Sequence, residues 1–360
     1  MRFRRARTLV MTYYPGQIGV HNFLTKTRFG CSLEALDFLS KLDDWHTEEQ
    51  IVEYFPKYDR VGLAAQVAEL AANHAIVVEG TAQATLDQKF RDSWPWGMVG
   101  GYYHFTTRNT TFAPDADQLD MVNRRRASGE APPDWYESNR SRERVVALPA
   151  ADADSGALSL MRRRRSERSF SHAAIDLRAL ADCLYAGNGI VGFRDTPEYG
   201  RLPISMTPSL GGSNPYELYV YAAKVQDLER GFYHYAGLEH DLAYVHAGPR
   251  DVSEMFGGQA WISAAPAIIF LVAHFRRTAW RHHLAMAYRS VLMEAGHIAQ
   301  NIALAASSVG LSAVSIGSLK QSMIESFLLT PEIEASVILG VALGQPAVEQ
   351  QDSSAAEDAS

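Results

Sequence analysis

Apolar residues recur along this chain at two periods, and the periods divide it. Leu33, Leu36, Phe38, Leu39 and Leu42 recur at helical steps, as do Leu63, Val67, Leu70 and Ala71 within 61–74. Between them, Thr47-Glu48-Glu49-Gln50 reads as a capping box, with the Thr47 hydroxyl and the Gln50 amide satisfying each other's backbone donors. Residues 10–14 and 22–28 have strand character, and 75–80 closes this part as a strand. Three helices with a strand pair predict a small winged-helix-like module over 1–84. From 85 to 150 no period is sustained, which predicts a connector or lid segment. It holds Trp94-Pro95-Trp96-Gly97, Gly100-Gly101-Tyr102-Tyr103-His104-Phe105, and the loop-like runs Arg124-Arg125-Arg126 and Ala131-Pro132-Pro133.

Periodicity returns over 151–348. Ile175, Leu177, Leu180, Ala181 and Leu184 form a helical face, with Gly187 placed to end it. A turn-rich loop, 207–215, runs into the strand 216–223; 232–235 and 241–246 pair as a hairpin; 267–273 is apolar at every position, the signature of a strand buried on both faces. A helix follows over 284–309, roughly 39 Å long at 1.5 Å per residue. Gly310 serves as its cap and Leu311 as the accompanying apolar contact. Strands at 312–316 and 336–343 flank a helix at 320–328, and 349–360 is polar and acidic, predicting disorder. The expected fold class is α+β.

Composition narrows the function. The 360 residues carry a net charge of −7 and are 47% hydrophobic, enough for a sizeable core and unsuited to general polyanion binding. Arg2, Arg4, Arg5 and Arg7 would suit DNA, but the third helix has Arg60 as its one cation beside Glu69, so nucleic acid is not the expected partner. The longest apolar run, 260–273, is too short to span a bilayer, the N-terminal one is too short and aromatic for a signal core, and two cysteines give neither a disulfide framework nor metal spacing. These features predict a cytoplasmic protein without a metal.

The chemistry gathers at a few places. Met161-Arg162-Arg163-Arg164-Arg165-Ser166-Glu167-Arg168 offers guanidinium forks and a hydroxyl, suited to a phosphate or to an acidic surface. Glu294-Ala295-Gly296-His297 has the Glu-x-x-His spacing of di-iron sites, but such sites need two copies and only this one occurs. A nucleophile elbow, a Walker loop and a dinucleotide glycine turn are absent. What remains is the arginine segment, the loop Pro208-Ser209-Leu210-Gly211-Gly212, and the strand ending in Ser315-Ile316-Gly317-Ser318. A flavin mononucleotide needs such parts: cations for its phosphate, close glycine backbone for its ring, and a donor for N5.

Arg164-Arg165-Ser166-x-Arg168-x-Phe170, Pro208-Ser209-x-Gly211-Gly212 before Tyr216-Glu217-Leu218-Tyr219, Gly231-Phe232-Tyr233-His234-Tyr235, Glu294-Ala295-Gly296-His297-x-x-Gln300-Asn301, and Val341-Ala342-Leu343-Gly344-Gln345-Pro346 together resemble the nitroreductase superfamily. More narrowly, they resemble its SagB/McbC-type peptide dehydrogenases, as do the N-terminal module and His104-Phe105-Thr106-Thr107. The resemblance implies an α+β fold with FMN at a homodimer interface, and oxidation of thiazolines and oxazolines in peptide natural-product precursors to thiazoles and oxazoles. A cyclase or synthetase partner is implied with it. It also implies that Arg164, Arg165, Ser166 and Arg168 hold the phosphate and ribityl chain. Pro208, Ser209, Gly211 and Gly212 would lie against the ring, that of the other subunit, and the backbone at Ile316 and Gly317 would address N5.

One departure matters. Azoline-oxidising members carry a Lys-Tyr pair before the long helix, whereas here Trp280-Arg281-His282-His283-Leu284 stands, with Tyr288-Arg289 one turn on. Arginine is too weak an acid to serve as a base; histidine, with an ordinary pKa near 6.5, is suited to it. His282, His283 and Tyr288 are therefore the candidates for proton transfer. Alternatively, the departure marks a different peptide or carrier-bound substrate. The rival from another class is a non-enzymatic peptide-binding module whose arginines hold an acidic peptide.

Overall fold

The computed structural model describes residues 1–109, 115–129, 156–197, 200–280, 282 and 284–347. Strands β1 (Arg2–Arg5), β2 (Leu9–Tyr14), β3 (Gln17–Asn22) and β4 (Thr27–Cys31) precede α1 (Leu33–Lys41), β5 (His46–Thr47), α2 (Glu48–Tyr54), α3 (Arg60–Ala72) and β6 (Ile76–Val78). They form an antiparallel sheet of order β5-β1-β6 and a separate meander β2-β3-β4. Phe3, Phe38, Leu39, Leu42, Ile51, Phe55, Leu63, Val67 and Leu70 are its core. The helices begin where side chains cap them: Ser32 for α1, the Thr47/Gln50 capping box for α2, and Asp59 for α3.

One expectation for this part is corrected. Residues 22–28 are not one strand: Asn22 ends β3, its Oδ1 accepts from Leu24 and Thr25 N–H, and the chain turns into β4, which starts at Thr27. The arginine-rich N-terminus is a strand, and its cations serve the fold. Arg4 is fully buried, 2.6 Å from Asp87 and over the Trp45 ring; Arg2 pairs with Glu79; Arg5 reaches the Leu39 carbonyl.

The aperiodic connector is helical where it is described: α4 (Ala82–Ser93), α5 (Gly97–Thr107) and α6 (Asp115–Ala127). Its aromatic residues are buried from several directions at once, which erases a one-sided period. Phe90, Trp94, Trp96 and Phe105 lie in the same apolar cluster as Phe275, Tyr288 and Val291 of the following domain. The Arg124-Arg125-Arg126 run is the last turn of α6, where cations suit the helix dipole, and is no loop. Helix α4 runs through residue 84, where the first module was expected to end. Ala131-Pro132-Pro133 and residues 349–360 lie outside the described residues.

The larger domain comprises α7 (Gly156–Arg163), α8 (Leu177–Asn188), β7 (Ile190–Thr196), β8 (Gly200–Ser205), β9 (Tyr216–Ala222), β10 (Gly231–Ala236), β11 (Asp241–Ala247), β12 (Ala267–His274), α9 (Phe275–Ala279), α10 (Met286–Ser308), β13 (Ser312–Ile316), α11 (Gln321–Leu328) and β14 (Ala335–Gly344). Six strands form one antiparallel sheet of order β11-β10-β9-β12-β14-β13. The continuous apolar run of β12 is explained by its neighbours. Ala267, Ile269, Leu271 and Ala273 face the cluster under α8 and α10, while Ile268, Phe270 and Val272 face Phe256, Ile262, Ile324 and Leu328. Helix α8 ends at Gly189 rather than Gly187. Gly187 lies within it because a Cβ there would come 2.8 Å from Ile302 of α10. The hairpin β7-β8 had no counterpart in the sequence reading; its strands mix Val191, Phe193 and Ile204, all exposed, with charge. Gly310 (φ +75°) ends α10, with Leu311 N–H reaching back 2.8 Å to the Ala306 carbonyl. No helix among the described residues is long and apolar enough to cross a membrane.

The connector is tied to this domain around the C-terminal end of α5. Arg108 is buried and pairs with Glu325 of α11, whose other oxygen accepts from Ser336 (2.7 Å) and the Val337 N–H (3.0 Å). Asn109 Oδ1 accepts from Ser322 N–H at the start of α11. One turn earlier, His104 Nδ1 meets the Tyr288 hydroxyl at 2.7 Å inside a box of Trp94, Phe105 and Phe275. Burial, and then the Arg108 charge, pushes the His104 imidazole down to about 3.

Two outcomes follow from these buried groups. Arg108→Ala strands the Glu325 carboxylate and should cost about 3–5 kcal/mol in urea unfolding. Arg2→Ala, which breaks an exposed pair with Glu79, should leave the midpoint unchanged. His104 must stay neutral when folded but takes a proton below pH ~6.5 when unfolded. Its contribution is complete above that pH and is lost progressively as pH falls toward the folded value of about 3. Between pH 7.5 and 5 this should remove about 2 kcal/mol. His104→Gln, which can still accept from Tyr288, should flatten that part of the profile, and an unchanged slope would contradict the assignment.

Candidate active site

The loop from Thr207 to Asn214 needs backbone that only glycine adopts freely. Gly211 (φ +69°) and Gly212 (φ +65°) are both left-handed, and the Gly212 N–H closes a tight turn on the Ser209 carbonyl at 3.0 Å. The loop does not hold this form alone. Its stems are laced by Asn214 Nδ2 to the Pro203 carbonyl (3.1 Å), Ser205 Oγ to the Thr207 carbonyl (2.7 Å), and Arg277 to the Asn214 carbonyl (3.1 Å).

Helix α10 supplies two further anchors. Glu294, 4% exposed, accepts from the Leu210 N–H at 3.2 Å. Asn301 Nδ2, seven residues on and therefore on the same face, donates to Thr207 Oγ1 at 2.8 Å. Thr207 Oγ1 in turn donates to the Gly187 carbonyl at 2.7 Å. Burial pushes the Glu294 carboxyl up, opposed by the Leu210 hydrogen bond and by His297. This carboxylate is spent on the loop, and among the described residues no cluster of three or more His, Cys, Asp or Glu could hold a metal ion.

His282 stands over the loop. A Cβ on Gly211 would lie 2.7 Å from His282 Nε2, so only a glycine leaves the imidazole room there. The histidine backbone is fixed from two sides: its N–H donates to the Thr278 carbonyl, and its carbonyl accepts from the Trp96 indole N–H at 3.1 Å. The side chain itself is exposed. His283 lies outside the described residues. Tyr288 points inward, 6% exposed and bonded to His104, and burial raises its phenol well above the ordinary value.

The arginine segment leaves α7 and runs along the end of β14. Phe170 is buried against Gly344 and bridges Pro346, Ser171 N–H reaches the Gln345 carbonyl, and Ala347 N–H reaches the Ser169 carbonyl. Arg164 reaches Ser166 Oγ at 3.2 Å; Arg165 bonds the carbonyls of Arg162 and Arg164; Arg165, Ser166 and Arg168 are exposed. Ile316 is the last residue of β13, opposite Gly340. Gly317 beyond it is exposed, and a Cβ there would meet nothing within 4 Å.

One chain thus joins Pro208, Ser209, Gly211 and Gly212 to α10 and to His282. It sets Arg164, Arg165, Ser166 and Arg168 beside β14, and Ile316 and Gly317 at the tip of β13. The sequence reading had not assigned Glu294, Asn301 or Trp96 to the site. The i, i+7 spacing of Glu294 and Asn301 was a usable signal; nothing local marked Trp96, which acts across 186 positions. An apolar surface borders these parts: Trp280, Leu284, Met286 and Met293 along α9–α10, and Leu210 in the loop.

The Nitroreductase family profile matches residues 161–345. A protein of Methanocaldococcus jannaschii named as a nitroreductase is 31% identical over 172 residues, which cover 47% of this chain and 82% of that one. The trifolitoxin-processing protein TfxB of Rhizobium leguminosarum bv. trifolii is 29% identical over 137 residues, 36% of this chain and 37% of its own length. Among solved structures, the E. coli microcin synthetase McbBCD complex with truncated pro-MccB17 bound superposes loosely. Its TM-score is 0.42 at 16% identity, over 66% of this chain and 95% of that one. The arginine segment, the glycine loop on α10 and the open turn after β13 all lie within the matched residues, and the chain belongs to the nitroreductase family.

Proposed function

We propose that this oxidoreductase binds FMN at a homodimer interface and dehydrogenates a thiazoline or oxazoline in a peptide precursor to the thiazole or oxazole. The observation that carries the reading is the Gly211–Gly212 turn with the His282 imidazole against it, in a family domain whose β13 tip presents open glycine backbone. These residues fit a flavin: Gly317 leaves its backbone unshielded, and Arg165, Ser166 and Arg168 reach solvent. The exposed apolar side chains of α9–α10 favour a second copy as the partner. The trifolitoxin-processing relative supports a peptide as substrate, and a cyclase or synthetase would then supply the azoline ring.

Bound FMN supplies the two-electron acceptor. Arg164, Arg165, Ser166 and Arg168 would hold its phosphate and ribityl chain by charge-assisted bonds, and the backbone at Ile316–Gly317 would address N5. Pro208, Ser209, Gly211 and Gly212 would lie against the ring of the partner subunit. An azoline loses one hydride and one proton on becoming an azole. His282 takes the proton: it is exposed, already beside the loop, and held there through its own backbone. The Trp280–His283 segment in place of Lys-Tyr also favours a second reading, the same chemistry on another peptide or carrier-bound substrate.

The purified protein should show a flavin absorbance spectrum and release FMN on heating. A colourless protein that also takes up no added FMN would remove the enzyme reading in favour of a peptide-binding module. Arg165→Ala should lose flavin; full retention would assign the arginines to a peptide instead. In stopped-flow flavin reduction by an azoline peptide, His282→Ala should slow the step by about 10²–10⁴-fold. Alanine at His283 and Tyr288 completes the series, and unimpaired reduction in all three would end the proton-transfer assignment.

A further inference from the structure

The glycine loop is held by a carboxylate from a different element, and this contact has no role in forming α10 itself. Glu294 is a buried acid in the first half of a helix whose neighbours are apolar, and a buried carboxylate is costly unless its oxygens are satisfied. Its partner is the Leu210 N–H, 3.2 Å from Glu294 Oε2. Ser209 Oγ accepts the Asn214 N–H at 2.8 Å and closes the Gly211–Gly212 turn from its other side. A pair of adjacent left-handed glycines is adaptable backbone that costs entropy to fix. Asn301 fixes the entry to the loop at Thr207, and Glu294 bonds within the turn-forming stretch from the helix side.

We propose that Glu294 is the positioning residue of the cofactor site: its carboxylate fixes the Ser209–Gly212 backbone in the form that meets the isoalloxazine ring, with Asn301 as the second anchor. This rests on the flavin reading above. Glu294 reaches the reacting atoms only through the loop, so its removal should act on loop order and on flavin affinity together. Glutamine keeps an acceptor oxygen for the Leu210 N–H; alanine keeps none.

The test uses the full-length chain, freed of flavin and then titrated with FMN. Hydrogen exchange of the 207–214 amides is read on the flavin-free protein, and FMN affinity is read by quenching of flavin fluorescence. In Glu294→Ala, exchange should rise and FMN Kd should weaken about tenfold or more, the loss of one charge-assisted bond. Glu294→Gln should stay within about threefold of the parent on both readouts. Should Glu294→Ala fold poorly, Ser209→Ala, at a partly exposed position, removes the acceptor that closes the same turn and should accelerate exchange at Asn214. Unchanged exchange in Glu294→Ala would overturn the anchor. Faster exchange with parental FMN affinity would overturn its service to the cofactor. A parent chain that binds no FMN would overturn the flavin reading and the cofactor half of this proposal, while the exchange comparison still decides whether Glu294 holds the loop.

Discussion

Burial of β12 on both faces is the constraint from which the rest of the larger domain is built. Its side chains alternate between two apolar clusters, so it demands a layer on each side of the sheet. Each fully buried Val, Leu, Ile or Phe contributes about 1.5–3 kcal/mol, and no layer on its own could cover the five in β12, Ile268 to Val272, which alternate between the two faces. Helices α8 and α10 cover one face; the turns at Ser253–Phe256 and Ala260–Ala264, with α11, cover the other. Close approach of α8 to α10 requires Gly187, and that approach brings the Gly187 carbonyl to Thr207, where the glycine loop starts. The candidate site is thus set by core packing: the loop stands where α8, α10 and the start of β9 converge.

The same logic joins the N-terminal third to the catalytic domain. The family match begins at residue 161, yet the cluster under α10 is completed by Phe23, Phe90, Trp94, Trp96 and Phe105. Trp96 fills that cluster and places its N–H on the His282 carbonyl; Arg108 and Asn109 grip α11 a few residues after Gly317. The connector therefore touches the chain near both the loop-facing histidine and the β13 tip. Through these bonds, a change in the position of α5 has a direct mechanical route to each.

What the sequence disclosed and what it hid differ by the range of the interaction. Local signals were readable: the Thr47–Gln50 capping box, the Gly310 cap, the two-faced run of β12 and the long helix all stand in the structure. The family was readable because its motifs are short runs in a fixed order. The connector helices were not, because their aromatic residues pack against three different elements and leave no single stripe. The place of the N-terminal arginines was hidden by range as well: Arg4 is fully buried and paired with Asp87, more than eighty positions away. Gly187 looked like a helix stop because the Ile302 contact that requires it is invisible in local sequence.

For the proposed reaction, burial and freedom favour His282 over Tyr288 as the proton-transfer residue. A base must reach substrate and must gain a proton without breaking the structure that holds it. Tyr288 meets neither demand easily. Its hydroxyl is already shared with His104, and burial makes the phenolate costly. Burial also depresses His104, so that pair has no ready charge to move. His282 meets both. Its backbone carries the structural bonds, to Thr278 and Trp96, while its ring is exposed and lies against Gly211. Anchoring through the backbone leaves both ring nitrogens to chemistry. In the proposed reaction, such an imidazole would take the proton without repacking the aromatic box beneath it.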